Sequence, residues 1–322
     1  MAKKSDLSKV KDCSSIQTNG KYVIVKGKYL RIFNPDGSLI AECKSVRRPY
    51  KLAFLPEDRL LVGGRDYNLL SLSNGEVIWT LPTPPNFGYS SDRFALSPDY
   101  RFAYEHYRTA STVKDMILTI DLNEPAYSYR LVQNSIRTVS DIICDKDGEV
   151  LLLQRHLANV EGKDVYQNGI FRPQRTAEGG VEHWKYLWLT DTSASPKVFD
   201  GEYVLYSNMT VIKAATGEVI DLLEHEAEWK APRWSPLRSY YDPEKQYLQL
   251  VYDDANIIID CVARKRIAQY STPDSGIGFE GCLINGEFWI GTREGIIKRP
   301  FPLIEEIPKQ PFSPLADFMQ NR

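Results

Sequence analysis

The sequence lacks the segments that mark membrane and exported proteins. None of its apolar runs approaches the 18 residues of a candidate transmembrane helix, and its mean hydropathy is -0.36. The lysines near the N-terminus are not followed by the apolar segment of a secretory signal. We therefore expect a cytoplasmic protein without a membrane span.

Metal-ligand and catalytic patterns are also missing. The 4 histidines and 5 cysteines form no HxH, HExxH or CxxC pattern, so we expect no metal site. No GxSxG, P-loop or GxGxxG sequence occurs, so no cofactor is expected. Most cysteines lie in apolar stretches, as at Cys144 and Cys261, which favours buried free thiols.

Neither sign of charge dominates the composition. The 40 basic and 42 acidic residues give a net charge of -2 at pH 7. A nearly neutral molecule has no overall field that would select nucleic acid or an anionic membrane. We expect neither among its partners.

Short strand patterns, by contrast, fill the chain. Runs rich in Val, Ile, Tyr, Phe and Trp are bounded by turn residues, as at Leu60–Val62, Met116–Ile120 and Phe288–Ile290. No long stretch shows the 3.6-residue period of an amphipathic helix. The sequence therefore predicts an all-β protein.

A short polar turn between two apolar strands recurs along the chain. Its seven instances are Asn19-Gly20, Glu57-Asp58, Pro98-Asp99, Asp147-Gly148, Asp200-Gly201, Pro243-Glu244 and Asn285-Gly286. Successive turns are separated by roughly 40–50 residues, the spacing of four-stranded propeller blades. The turns predict a seven-bladed β-propeller of four-stranded antiparallel blades. We expect one domain over residues 1–322, with blades over about 12–301 and a C-terminal tail over 302–322.

A hairpin with a glycine turn is the second repeated feature. It occurs at Tyr67–Leu81 and Met209–Leu223, and more loosely at Tyr29–Cys43. LSLSNGEVIW (Leu70–Trp79) and VIKAATGEVI (Val211–Ile220) resemble the outer-strand motif of quinoprotein-like repeats. They are also similar to repeats of the YVTN and WD40-like class, although the Gly-His and Trp-Asp signatures of true WD40 repeats are missing. The resemblance covers about residues 12–301 and implies a propeller scaffold, without indicating a specific protein.

Two regions of the predicted propeller allow alternatives. The segment Lys197–Phe199 is either the outer strand of blade four or the first strand of blade five. The outer strand of the last blade is either Leu303–Ile307 or an N-terminal segment near Leu7–Val10, which would close the ring by pairing the chain ends.

An insertion, His156–His183, interrupts blade four. We interpret it as a partner-binding loop, because loops of this length are usually functional or disordered. The alternatives are a hairpin that extends its blade and a disordered excursion.

The predicted loops separate by charge. Connections at one end of the propeller collect basic and aromatic residues, whereas turns at the other collect acidic ones. Arginine suits bidentate contacts to carboxylate or phosphate, and aromatic side chains suit apolar anchoring. The predicted partner-binding residues are Arg47, Arg48, Arg137, Tyr166, Phe171, Arg172, Trp229, Arg233 and Trp234.

This pattern predicts a non-catalytic binding or scaffold propeller whose partner is a protein or peptide, with an anionic one included. The alternative is a propeller hydrolase or lyase that acts on a sugar or lactone at the channel mouth. Its acidic residues would come from separate blades and converge there. A third interpretation is that the loop charges are simply solvated.

Overall fold

A computed structural model describes most of the chain, and its residues form β-strands joined by turns. The described residues are 10, 13, 15–84, 87–90, 94–109, 115–132, 138–175, 181–190, 196–198, 203–206, 210–213, 216–224, 238–242, 244–252, 254–272 and 280–305. No helix within these residues is long and apolar enough to cross a bilayer.

Sheets one and two are four-stranded antiparallel meanders. Sheet one contains β1 (Ser15–Thr18), β2 (Val23–Lys26), β3 (Tyr29–Phe33) and β4 (Leu39–Arg47). Sheet two contains β5 (Lys51–Leu55), β6 (Arg59–Gly63), β7 (Asp66–Ser71) and β8 (Val77–Pro82). The hairpin at Tyr67–Leu81 thus forms the outer half of sheet two.

Sheets three and four depart from this pattern in opposite ways. Sheet three contains β9 (Phe87–Ser90), β10 (Ala95–Leu96), β11 (Phe102–Thr109), β12 (Asp115–Asp121) and β13 (Ala126–Leu131). Both β9 and β10 pair with β11, so its innermost position is shared by two short strands. Sheet four is lengthened and contains β14 (Thr138–Cys144), β15 (Val150–Val160), β16 (Lys163–Arg175) and β17 (Val181–Thr190).

The remaining sheets become incomplete toward the C-terminus. Sheet five contains β18 (Pro196–Val198), β19 (Tyr203–Tyr206), β20 (Thr210–Lys213) and β21 (Val219–Asp221). Sheet six contains β22 (Arg238–Asp242), β23 (Tyr247–Val251), β24 (Ala255–Asp260) and β25 (Lys265–Ser271). Sheet seven contains β26 (Gly281–Ile284), β27 (Glu287–Gly291) and β28 (Ile296–Pro300).

These sheets form a β-propeller, but the prediction of seven four-stranded blades is wrong. Six sheets have at least four strands and make six complete blades. Over the described residues, β26–β28 form only a three-stranded sheet. The turn marker overcounted because each polar turn reports only the first hairpin of a unit, whereas a complete blade also needs an outer strand.

The hydrophobic core lies between neighbouring sheets, because both faces of each sheet are covered. Leu61 and Tyr67 of sheet two pack with Ala103, Tyr107 and Leu118 of sheet three. Strand residues alternate between the two faces, so each strand contributes to two interfaces. A fully buried Leu or Ile side chain contributes roughly 1.5–3 kcal/mol to this packing.

The ring closes where the first and last sheets meet. Strand β1 contacts β26 and β27, and the backbone N–H of Cys13 donates to the carbonyl of Thr292 at 3.1 Å. A Cβ atom at Gly291 would lie 2.4 Å from Cys13 Sγ, so glycine allows this close approach. Val10 is buried in the core between these two sheets.

The described part of the C-terminal segment does not pair with the last sheet, so the alternative in which Leu303–Ile307 forms its outer strand is wrong. Ile304 instead forms a parallel bridge with Gln269 of β25, at the outer edge of sheet six. The Glu305 carboxylate accepts hydrogen bonds from the N–H and hydroxyl of Ser271. The alternative N-terminal strand, apart from Val10, lies outside the described residues.

The insertion in blade four continues the sheet, which confirms the hairpin alternative over the loop interpretation. Strands β15 and β16 pair from Leu152 and Phe171 to Val160 and Lys163. Since β14 pairs only as far as Arg155, the last five residues of β15 project roughly 17 Å beyond it. The β18 strand at Pro196–Val198 is the first strand of sheet five. The segment predicted at Lys197–Phe199 therefore belongs to blade five and not to blade four.

The two ends of the propeller follow from this topology. The basic end of the propeller contains the loops that lead into the first strand of each sheet and the loops that join its second and third strands. The acidic end contains the turns that join the first strand of each sheet to the second and the third strand to the fourth.

Candidate functional site

Two fully buried glutamates lie near the basic end, each beside a buried lysine. One carboxylate oxygen of Glu105 in β11 accepts a hydrogen bond from Lys51 Nζ. The other accepts one from the Tyr67 hydroxyl at 2.8 Å. The side chains of Lys51 and Glu105 are 3% and 0% exposed. Burying a charge without a partner is strongly unfavourable, so this pair joins sheet two to sheet three as a unit.

The glycine at position 63 makes room for this lysine. A Cβ atom there would lie 2.8 Å from Lys51 Cγ and 2.9 Å from Phe94 Cζ. The Lys51 Nζ atom lies 5.2 Å from the centre of the Phe94 ring. Gly63, the last residue of β6, therefore allows close packing.

The second glutamate joins three sheets around the ring closure. Glu280 precedes β26 and pairs with Lys26 of sheet one, 3.6 Å away, and with Arg238 of sheet six. The hydroxyl of Ser15 and the amide of Gln17, both on β1, also donate to it. Both buried glutamates thus form ion pairs with cations of neighbouring sheets.

Lys26 also fixes the connection between sheets one and two. Lys26 Nζ donates to the Tyr50 carbonyl at 3.1 Å, and the Tyr50 N–H donates to the Gly63 carbonyl at 2.8 Å. Pro49 is buried beside it, whereas the Tyr50 side chain is 57% exposed. The backbone therefore holds an aromatic ring in solvent at the basic end.

Exposed cations surround this tyrosine. We define the basic corner as Lys28, Arg48, Tyr50 and Arg65, on three adjacent connections of sheets one and two, together with Lys44 in the second half of β4. Lys44 pairs with Glu42 at 3.5 Å, but Arg31 holds that carboxylate more closely, at 2.7 Å. Arg31 lowers the pKa of Glu42, so the carboxylate remains ionised.

The two arginines of the basic corner differ from Lys44 in their ion pairs. Across the described part of the chain, no carboxylate forms an ion pair with Arg48 or Arg65. Arg48 adopts a positive φ of 52° and is exposed. Its side chain is therefore accessible to solvent, two positions before Tyr50 in the sequence.

A polar cleft of about 350 Å³ opens beside Arg65. Ser45, Arg65, Asp66 and Asn68 line it. The Asn68 amide donates to the Asp66 carbonyl at 3.2 Å and accepts from the Thr80 hydroxyl at 2.8 Å, so its orientation is fixed. The cleft combines this fixed amide with the guanidinium of Arg65.

Carboxylates at the acidic end are used differently, because they cap turns. Asp145 accepts the backbone N–H groups of Asp147 and Glu149 at 3.0 and 2.8 Å. Asp99 accepts from the Ser97 hydroxyl at 2.6 Å and from the Arg101 N–H at 3.1 Å, and the Ser97 hydroxyl lowers its pKa. Turn capping accounts for the acidic character of this end.

Several predicted site residues can be placed at the basic end by their backbone. Arg47 ends β4 opposite Tyr29, and Arg48 belongs to the basic corner. Tyr166 pairs with Leu157 in the projecting part of the blade-four hairpin. The other predicted residues, which lie outside the described part of the chain, are Arg137, Trp229, Arg233 and Trp234.

Two predicted site residues do not fit the prediction. Phe171 has 0% of its surface exposed and packs in the core between sheets three and four, so it cannot contact a partner. Arg172 pairs with Asp145 at 3.4 Å and Glu149 at 2.9 Å, at the acidic end. Because β16 runs the length of the sheet, the insertion reaches both ends.

The sequence interpretation missed Lys28 and Tyr50. Both follow short turn signals, Gly27 before Lys28 and Arg48-Pro49 before Tyr50. The available signal was that these turns fall at the basic end of neighbouring blades.

The cysteines behave as hydrophobic side chains. All five are free; four are buried and Cys261 is partly buried, which confirms the predicted thiols. Burial raises the pKa of Cys13 and Cys144 to about 12. In the described residues, no group of three or more His, Cys, Asp or Glu side chains is arranged to hold a metal ion.

Comparison with known proteins shows the fold only. No protein-family model matches the chain, and no curated protein matches its sequence. The computationally designed protein Ika8 is similar, with a TM-score of 0.54, 7% identity, and coverage of 90% of this chain and 96% of that one. The WD40 domain of Neurospora crassa Pan2 has a TM-score of 0.52, 9% identity, and coverage of 89% and 88%.

A third solved structure, Hsv2 of Kluyveromyces lactis, matches with 12% identity over 87% of this chain and 90% of that one. Its TM-score of 0.48 is too low to support an argument. The chain is a β-propeller with a WD40 domain among its structural neighbours.

Proposed function

We propose that this propeller is a non-catalytic binding module that recognises an anionic segment of a partner protein through the basic corner. The observation that carries the proposal is that Arg48, Arg65 and the exposed Tyr50 share one end of sheets one and two, with the Tyr50 backbone held in place. No described carboxylate pairs with either arginine, and Tyr50 is more than half exposed.

The chemistry of these side chains suits a carboxylate-bearing or phosphate-bearing segment. A guanidinium presents a planar fork that donates two parallel hydrogen bonds to such a group. Tyr50 offers an aromatic surface whose backbone is already held by Lys26 and Gly63, so little ordering is required on binding. Arginine and tyrosine are also the side chains that most often dominate binding energy at protein interfaces.

The fold is consistent with this proposal at a general level. A WD40 domain is a structural neighbour, and propellers of that class offer loops at one end of a rigid scaffold. The Arg47 and Tyr166 positions and the projecting blade-four hairpin belong to the same end, and we include them in the proposed surface.

The proposal is tested by amine crosslinking after affinity purification from the source organism. Lys28 and Lys44 are exposed at the basic corner, whereas Lys146 and Lys245 are exposed at the acidic end. We expect partner crosslinks at Lys28 and Lys44. The double variant Arg48→Ser/Arg65→Ser should lower partner affinity about tenfold or more.

The charge-matched control is Lys146→Ser/Lys245→Ser, which removes two cations from the opposite end. It should retain the partner, and both double variants should unfold within about 1 kcal/mol of the unmodified protein, because the changed residues are exposed. Partners that remain bound to Arg48→Ser/Arg65→Ser, or crosslinks confined to the acidic end, would overturn the proposal.

A further inference from the structure

The polar cleft beside Arg65 lies between sheets one and two. On the sheet-two side, Asp66 and Asn68 are two positions apart on β7, so both side chains belong to one face of that strand. Leu70 continues the same face and is buried against residues of sheet one. Asp66 and Asn68 therefore face sheet one, and Arg65 precedes them in the turn that leads into β7.

A bulge in β4 supplies the opposite wall. The register of β4 against β3 shifts between Cys43 and Arg47, which leaves residues 44–46 without a paired position. A bulge turns side chains away from their regular direction in the sheet. Ser45, in the middle of this bulge, is exposed and lines the cleft together with the residues of sheet two.

The lining offers three kinds of hydrogen-bond donor and one unpaired carboxylate. Asn68 is 7% exposed, and of its two amide hydrogens only one has an acceptor among the described residues, the Asp66 carbonyl. The side chains of Ser45 and Arg65 form no hydrogen bond or ion pair with that part of the chain. The Asp66 carboxylate has no described cation within ion-pair distance, although Arg65 is its neighbour in the sequence.

This combination of charges disfavours a simple anion as the ligand. A carboxylate bound to Arg65 would lie close to the Asp66 carboxylate, and like charges at short distance repel each other. A ligand with an ammonium group next to its carboxylate avoids this repulsion, because the ammonium can donate to Asp66. An α-amino acid carries both groups on one carbon atom.

The size and lining of the cleft suit such a ligand. Its volume of about 350 Å³ accommodates a small molecule. Every described residue of the lining is polar, so the charged end of the ligand would enter and its side chain would point to solvent.

We propose that this cleft binds a free α-amino acid. The carboxylate of the ligand would accept hydrogen bonds from Arg65, Asn68 and Ser45, and its ammonium group would donate to Asp66. The site uses neither Arg48 nor Tyr50 and needs no partner protein, so it goes beyond the proposed function. Because Arg65 belongs to both sites, an amino acid and an anionic partner segment would exclude each other there.

The test is a titration of the full chain with glycine, followed by the side-chain amide signals of Asn68 in a two-dimensional NMR spectrum. Acetate and methylammonium, at the same ionic strength, each supply one of the two charged groups of glycine. We expect glycine to shift the Asn68 signals and to bind about tenfold more tightly than either of them. No partner protein is present, so the result is independent of the crosslinking test.

The variant Asp66→Asn separates the roles of the two charges. Glycine should bind to it several-fold more weakly, because the ammonium group loses its anionic acceptor. Acetate should bind to it more tightly than to the unmodified protein, because the repulsion is removed. Unfolding cannot produce these opposite changes. The matched control is Asp147→Asn, which changes an exposed aspartate at the acidic end and should alter neither affinity.

A second variant tests the carboxylate contact. Arg65→Ser should abolish the glycine-induced shifts of Asn68, whereas Lys146→Ser, which removes an exposed cation from the acidic end, should retain them.

Three outcomes would overturn the proposal. Equal binding of glycine and acetate would show that the ammonium group does not contribute. Equal weakening of glycine and acetate by Asp66→Asn would show that Asp66 acts only on the structure of the cleft. The absence of a saturable shift of the Asn68 signals would show that the cleft does not bind an amino acid.

Discussion

The two ends of the propeller carry opposite charge for different reasons. At the acidic end, aspartates such as Asp99 and Asp145 accept hydrogen bonds from the backbone of their own turns. At the basic end, neither Arg48 nor Arg65 forms an ion pair with a carboxylate of the described residues. Folding accounts for the acidic charges and leaves the arginines unexplained, so the arginines point more strongly to binding.

A second contrast lies within the basic end itself. Lys26 and Lys51 are nearly fully buried and hold glutamates of neighbouring sheets, whereas the arginines of the basic corner extend into solvent. Basic residues only a few positions apart in the sequence thus lie in the core in one case and on the surface in the other. The following predictions test this division, from the largest expected effect to the smallest.

The largest effect is expected from Glu105→Gln. This change removes the charge that compensates buried Lys51, and breaking a buried pair on one side destabilises by about 3–5 kcal/mol. Urea unfolding would measure the loss of unfolding free energy.

The matched control for that variant is the double change Lys51→Met/Glu105→Leu. Replacing both charges with apolar groups removes the unpaired charge and should recover most of the stability. A loss below about 1 kcal/mol in Glu105→Gln would show that the pair is not structural.

An intermediate effect is expected from Asp145→Ala. The carboxylate caps two backbone N–H groups and pairs with Arg172, so its loss should destabilise by about 1–3 kcal/mol. Asp145→Asn keeps an oxygen acceptor and should retain most of the stability. Equal losses in the two variants, measured by chemical denaturation, would show that charge rather than turn capping matters.

The smallest effect concerns pH. The Ser97 hydroxyl and the Arg101 N–H hold the pKa of Asp99 below its ordinary value. Since the folded pKa lies below the unfolded one, this contribution is present above about pH 4 and is lost as the pH falls through the folded pKa. The unfolding midpoint of Asp99→Asn should therefore fall less between pH 6 and pH 3 than that of the unmodified protein, by roughly the contribution of one carboxylate. Identical pH profiles would remove Asp99 from the set of stabilising caps.

Local sequence patterns predicted the propeller because its signals are local. Hairpin turns such as Asn74-Gly75 need positive φ, and Gly75 has a φ of 74°. Alternating apolar residues gave the strands.

The site could be predicted only in part, because its decisive contacts join distant residues. Ser15 and Glu280 are 265 positions apart, and no pattern near either residue indicates the other. Arg172 lies at the acidic end because β16 is long enough to extend from one end of the propeller to the other. The sequence does not show the length of this strand. Within the described residues, the pairing of Ile304 with sheet six rather than with the last sheet likewise depends on a distant contact.

The closure through Glu280 also sets an order of events during synthesis. Glu280 is made 265 residues after Ser15, which it contacts. At the usual elongation rates, that separation corresponds to roughly 15–50 s. For that interval Lys26 has no Glu280 carboxylate to pair with, and the first sheet has no last sheet to pack against. The N-terminal blade is consequently the oldest part of the nascent chain and among the last to reach its final surroundings.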